Sequence, residues 1–329
     1  MHGDEQSGWR WPVASFQPDS DESGSKRRIQ ATTSALETGH DHRGRALFTS
    51  PVSEDSGFIR SDAAAKDAAG LEALTGQAAL IIGHPGHELC VYGWCGLARP
   101  SVFILTDGSG RTETSRTARS VRILEGLGCT TGPGTGLLTD REVYQALLSR
   151  DHKLFTRLTR QIAEWLVVDD IDSVTGDAAE GFNPVHDVCR LIIDAAVDLA
   201  RLATNRAISN CAFRLDWRKG REYALERDGA RTLILDQETF DSKLSAAWAY
   251  DELRSDIEAV LGENGVECFR TERFDPVGSK GEHRQTTTPH YEEYGARLVS
   301  EGIYNQVIRN REHLAPLADA LALAVQEGL

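Results

Sequence analysis

Two histidines, His84 and His87, stand three residues apart in Ile81-Ile82-Gly83-His84-Pro85-Gly86-His87-Glu88, where the apolar run Ala78–Ile82 breaks into a loop. Much later comes His186, in Gly176-Asp177-Ala178-Ala179-Glu180-Gly181-Phe182-Asn183-Pro184-Val185-His186-Asp187. Neutral imidazoles at strand ends suit a catalytic zinc site with three protein ligands and one open position. Carboxylates lie close by in sequence: Glu88 adjoins the first pair, Asp107 ends a second apolar run, and Asp177 and Glu180 share a loop with His186. Each could move a proton or hold an imidazole in orientation. Blander roles stand beside these. His84 could cap a helix, Asp107 could close a turn with Gly108, and Glu88 could face away and hold its loop. His40 and His42 fall in a polar stretch and read as solvated, while His290 and His313 lack metal-like spacing.

The elements that must position these groups follow from periodicity. Ala78–Ile82 predicts a buried strand, Glu88–Ala98 a helix with Leu89, Tyr92, Cys95 and Gly96 inward, and 101–105 a second strand. Residues 114–126 predict a helix with Ala118, Val121 and 124–127 inward, stopped by Gly128. Thr139 and Glu142 form a capping-box pattern for a helix to Leu148. Leu154, Leu158, Ile162, Trp165 and Leu166 share one face of a helix over 153–168. A third strand over 171–175 precedes the His186 loop, and Pro184 suits the first position of a helix to Ala203. Strand and helix alternate throughout, so the expected fold is α/β, a Rossmann-like, mostly parallel sheet with helices on both faces. The histidine motifs and Thr106–Gly110 all follow strands, so they gather at the carboxyl ends, where such sheets bind ligands.

Further on, 212–215 and 232–235 predict strands, 241–261 one long helix, 266–271 a strand, 286–296 an exposed or site-covering loop, and 312–327 a closing helix with Leu314, Leu317, Leu321 and Val325 inward. Tyr291, Tyr294 and Tyr304 could line a sugar-stacking wall or simply pack. No internal repeat is present.

The chain has 329 residues, 40% of them hydrophobic, with 50 acidic against 36 basic side chains and a net charge of −14. That balance repels phosphate backbones and argues against general nucleic-acid binding. Residues 1–72 are polar and aperiodic, predicting a disordered leader that docks at most through Trp9, Trp11, Phe16, Phe48 or Phe58; 73–329 form the folded domain. Six scattered cysteines in apolar contexts predict buried, reduced thiols in a cytoplasmic protein, with a disulfide framework or thiolate zinc site as the alternatives. No apolar run is long enough for a membrane span, and the first residues lack a secretory pattern.

Three of these motifs, Gly83-His84-Pro85-Gly86-His87-Glu88, Leu105-Thr106-Asp107-Gly108 and Gly181-Phe182-Asn183-Pro184-Val185-His186, together resemble the LmbE/PIG-L family of zinc-dependent sugar N-deacetylases. That family carries Ala/Pro-His-Pro-Asp-Asp-Glu after its first strand, Thr-x-Gly after the second and His-Pro-Asp-His later. The resemblance spans roughly residues 77–200, and the C-terminal third carries no matching motif. It implies zinc held by His84, His87 and His186, with His87 where the family has an Asp ligand. Gly86 falls where the family has its general base, so the resemblance leaves proton transfer to Glu88 or to Asp107, Asp177 or Glu180. Asn183 replaces a histidine and can donate to an oxyanion but not deliver a proton; Val185 replaces that histidine's supporting Asp. The implied activity is removal of an acyl group, acetyl above all, from the nitrogen of an amino sugar or related glycoconjugate, by a protein free to form oligomers. The alternative is a non-catalytic metal- or carbohydrate-binding relative.

Overall fold

The computed structural model describes residues 74–110, 114–132, 134–215, 229–278 and 288–328. The leader, 1–72, lies outside the described residues.

Seven strands form one sheet in the order β3-β2-β1-β4-β5-β7-β6. They are β1 (Ala78–Ile82), β2 (Ser101–Ile104), β3 (Thr130–Thr131), β4 (Ser173–Asp177), β5 (Ser209–Phe213), β6 (Arg231–Ile234) and β7 (Thr271–Pro276). β1 pairs in parallel with both β2 and β4, and the β2–β3 and β4–β5 pairs are parallel too. β7 runs antiparallel to β5 and β6 and closes one edge. The expected α/β architecture is therefore the observed one. Strand order reverses between β1 and β4, and it is at such switch points that open α/β sheets leave a crevice outside their carboxyl ends.

β1 is buried along its whole length, because successive side chains feed opposite cores. Ala79 and Ile81 join the cluster built by the helices Asp140–Ser149 (α3), His152–Val168 (α4), Pro184–Thr204 (α5) and Ala315–Gln326 (α9). Ala78, Leu80 and Ile82 join the opposite cluster with Trp94 of α1 (Tyr92–Ala98) and Leu124 of α2 (Thr117–Gly126). The thiols of Cys90, Cys95, Cys129, Cys189 and Cys211 lie inside these apolar clusters, in the environment the sequence predicts. At the switch point a Cβ on Gly176 would stand 2.4 Å from the Ile81 carbonyl oxygen, so glycine permits the close β1–β4 approach.

Several expectations change. Residues 88–98 begin as a 3-10 turn over His87–Val91 before α1, and the fully buried Trp94, rather than the partly exposed Tyr92 and Gly96, anchors it. On α2 Ala118 is exposed; Ser120 and Leu124 are the buried positions, and Ser120 is chosen by polar contacts, not by hydrophobicity. The long helix over 241–261 is two, α6 (Gln237–Trp248) and α7 (Arg254–Asn264), broken at Ala249-Tyr250 where the Tyr250 ring turns into the core. Val266–Arg270 is a 3-10 turn, and the strand follows it as β7. Within 286–296, His290–Ser300 is a helix (α8) with Tyr291 buried, while 286–287 lie outside the described residues. Tyr291 and Tyr304 pack inward, at 5% and 8% exposure, so neither stands open as a stacking wall.

Candidate metal centre

The loop after β1 delivers His84 and His87, and the first turn of α5 delivers His186. Pro184 starts that helix and the Asn183 Oδ1 caps it, accepting from the Val185 N–H at 2.9 Å. The three imidazoles converge. One ring nitrogen from each lies within 4.8 Å of the other two, and all three side chains are buried. The rings meet edge to face, with centroids 5.2 Å (His84–His87), 5.1 Å (His84–His186) and 4.7 Å (His87–His186) apart.

Burial and the neighbouring imidazoles hold His87 and His186 well below the usual histidine pKa, in the neutral form that ligates. Both ring nitrogens of His186 are buried without a hydrogen-bond partner among the described residues. A buried polar atom left so costs about 1–3 kcal/mol, which a cation would relieve. Three buried imidazole donors, His87 and His186 held neutral among them, are the set that zinc takes, so the residues present fit the metal that the sequence implies.

Asp177 closes the back of the cluster. Its Oδ2 accepts from the Gly83 N–H at 2.8 Å, and both carboxylate oxygens stand 2.8–2.9 Å from the His87 Nδ1. That contact leaves the His87 Nε2 as the nitrogen that could ligate a cation. Burial raises Asp177 to about 6, against the pull of His186, the Gly83 N–H, His84 and Arg190. A Cβ on Gly83 would sit 2.9 Å from the Asp177 Oδ2, so the bare glycine lets the carboxylate reach that backbone amide.

The remaining sequence candidates are placed in distinct settings. Glu88 is fully buried; its Oε2 accepts from the Gly86 N–H at 2.7 Å and its Oε1 from the Ser120 Oγ at 2.5 Å. Burial raises its pKa, opposed by those hydrogen bonds. Ser120 also lies 3.1 Å from the Tyr250 hydroxyl, so Glu88 belongs to a buried polar knot joining the loop to α2 and the C-terminal helices. Gly86 adopts φ 107°, a conformation costly for any side chain, and so leaves this stretch of the loop bare. Asp107 accepts from the Ser109 N–H at 2.9 Å and the Ser109 hydroxyl at 2.6 Å, forming a turn. Glu180 accepts from the Leu215 N–H at 3.0 Å, while the Asp187 Oδ1 accepts from the Glu180 and Gly181 N–H groups and fixes the loop before His186. Asn183 is buried, and the Tyr144 hydroxyl approaches its Oδ1 at 3.4 Å.

One residue beside the cluster has no signal in the sequence motifs. Asp140, the first residue of α3, places its Oδ1 3.2 Å from the His84 Nε2. A parallel bridge between Thr106 and Leu138 carries it there, and its Oδ2 accepts from the Gly110 N–H at 2.7 Å. Burial alone would raise its pKa, but His84 and the Gly110 N–H hold it well below the usual range.

No protein-family profile matches the chain, and no curated protein is similar to it. Solved structures resemble it distantly. The zinc-inhibited form of teicoplanin deacetylase Orf2 gives a TM-score of 0.43 at 15% identity, covering 63% of this chain and 100% of that one. A triple mutant of that deacetylase from the teicoplanin biosynthetic pathway gives 0.41 at 15%, and a deacetylase–bog complex gives 0.41 at 16%, with the same coverage. Likeness at that level fixes neither family nor chemistry, so function is read from the side chains.

Proposed function

We propose that this protein is a zinc-dependent amide hydrolase of the LmbE/PIG-L type, acting in the cytoplasm on an N-acylated, above all N-acetylated, amino sugar or related glycoconjugate. The observation that carries the proposal is the convergence of His84, His87 and His186, with both nitrogens of a buried His186 lacking a hydrogen-bond partner among the described residues. When bound, zinc supplies a Lewis acid for the amide carbonyl and a nucleophile at neutral pH.

The chain's own residues do the rest. His84, His87 and His186 hold the cation; Asp177 turns His87 and keeps its Nδ1 protonated. The Asn183 Oδ1 is committed to the helix cap, which leaves its Nδ2–H to donate to a developing oxyanion. Glu88 fixes the loop that carries both histidines, because both of its oxygens are engaged by Gly86 and Ser120. That engagement, with glycine at 86, also favours a second reading: a relative that keeps the cation and binds a carbohydrate without turning it over.

The test is metal content of the purified protein, followed by amine release from N-acetylglucosamine derivatives with and without chelator. The hydrolase reading expects a cation bound per chain and chelator-sensitive amine release. Bound cation with no release across an acylated amino-sugar panel favours the binding reading, and a protein that retains no divalent cation overturns both.

A further inference from the structure

Resting on the cation reading above, the geometry points to Asp140 as a positioning residue of the centre: its carboxylate holds the His84 Nε2–H so that the Nδ1 is the ligating atom. Three imidazoles bring no negative charge, and the side chains that would receive a divalent cation are 4%, 0% and 1% exposed. A charge buried so deeply needs a compensating partner close by. Two carboxylates stand against the cluster, one on each histidine of the first loop. Asp177 meets the His87 Nδ1 at 2.8 Å, and Asp140 meets the His84 Nε2 at 3.2 Å.

The two pairs are opposite in sense. A carboxylate on Nδ1 turns Nε2 of His87 to the cation, whereas a carboxylate on Nε2 turns Nδ1 of His84 to it. This suits two ligands three residues apart on one tight turn, which approach a common point from different directions. Asp140 is itself held for the task. Its Oδ2 is pinned by the Gly110 N–H, and its backbone starts a helix fixed by the Thr139–Glu142 capping box. The other oxygen, Oδ1, is buried with no hydrogen-bond partner among the described residues and stands at ion-pair distance, 3.2 Å, from the imidazole nitrogen.

Asp140 therefore ties the far side of the site, the loop after β2 and the start of α3, to the ligand loop after β1. Of the candidate carboxylates, Glu88 serves Gly86 and Ser120, Asp107 serves Ser109, and Glu180 serves Leu215, as described above.

The experiment compares wild type, Asp140→Asn and Asp140→Ala by zinc competition against a chelator, by cobalt(II) absorption and by long-range proton–nitrogen NMR of the histidine rings. Asparagine can still accept from the His84 Nε2–H; alanine cannot. The proposal expects zinc affinity about 10–100-fold weaker for the alanine variant, partial rescue by asparagine, an altered cobalt spectrum, and an apo His84 ring that is Nε2-protonated in wild type and mixed in Asp140→Ala. Thermal melting of the apo variants separates loss of the helix start from loss of the contact. Wild-type affinity and an unchanged His84 tautomer in Asp140→Ala would overturn the proposal while leaving the cation centre standing. A wild-type protein that binds no zinc would overturn the centre itself, and with it this role.

Discussion

Asp177→Ala probes the support of the centre without touching a ligand. The carboxylate accepts from the Gly83 N–H at 2.8 Å and from the His87 Nδ1 at 2.8–2.9 Å, all within a fully buried setting. Alanine strands both donors. Each unsatisfied buried donor costs about 1–3 kcal/mol, so the apoprotein should lose about 2–6 kcal/mol of unfolding free energy. Burial raises Asp177 to about 6, so the measurement belongs at pH 7.5, where the carboxylate is ionised. His87 would also lose its fixed tautomer, and partners of this kind are worth about 10–100-fold in metal affinity. Asparagine keeps one acceptor oxygen of the two and loses the charge, which predicts the order wild type, Asp177→Asn, Asp177→Ala for both quantities. Denaturant unfolding of the apoprotein and chelator competition for zinc provide the readings. An alanine variant with wild-type stability and wild-type affinity would refute the reasoning, because two buried donors would then have lost their acceptor at no cost.

Other consequences are separable. His186→Ala removes a proposed ligand whose nitrogens have no hydrogen-bond partner among the described residues, so bound cation should be lost on dialysis while the apo fold persists; retained stoichiometric metal by elemental analysis would contradict this. Glu88→Gln replaces an acceptor of two hydrogen bonds, and should cost about 1–3 kcal/mol of stability with metal content and turnover per metal retained. Abolished turnover at full loading would return Glu88 to a proton-transfer role. Asn183→Asp keeps the helix cap but removes the donor, so kcat for amide release should fall about 10²–10³-fold with unchanged helicity by circular dichroism; an unchanged kcat would remove Asn183 from oxyanion stabilisation. Burial lowers His87 and His186 below 6.5, so their neutral, ligating form persists as pH falls through that value. Protons compete for them only at lower pH, so NMR titration of the apoprotein should find both rings neutral at pH 6.5; either ring mostly protonated there would contradict its depressed pKa.

The core of the fold was legible because local and global signals agree there. A fully buried parallel strand such as Ala78–Ile82 must be a continuous apolar run, and polar residues immediately after it must lie at the sheet's carboxyl edge. Two histidines after β1 and a third beyond β4 therefore share the sheet's carboxyl edge, whereas the β1–β4 switch point there follows from the strand order, which has no local signature. Asp140 was not legible for the converse reason. Its sequence context is an ordinary helix start, which it also is, and its approach to His84 comes from a single long-range bridge between Thr106 and Leu138. Glu88 stood beside the metal motif in sequence, yet its Oε1 partner Ser120, which in turn meets Tyr250, lies far along the chain, so its direction was not written in the motif. In the C-terminal third the periodicity of 241–261 runs through a break that tertiary packing of Tyr250 imposes, and Val266–Arg270 has a strand's composition but a 3-10 turn's backbone.

The central claim is that one divalent cation is held by three imidazoles at the β1–β4 switch point. Anomalous diffraction at the zinc edge from zinc-loaded crystals tests it most directly. The expected result is a single strong peak with nitrogens of His84, His87 and His186 at about 2.0–2.1 Å, the His84 contact through Nδ1 and the His87 contact through Nε2. A peak ligated by other residues, or three ordered imidazoles with no peak among them at saturating zinc, would contradict it.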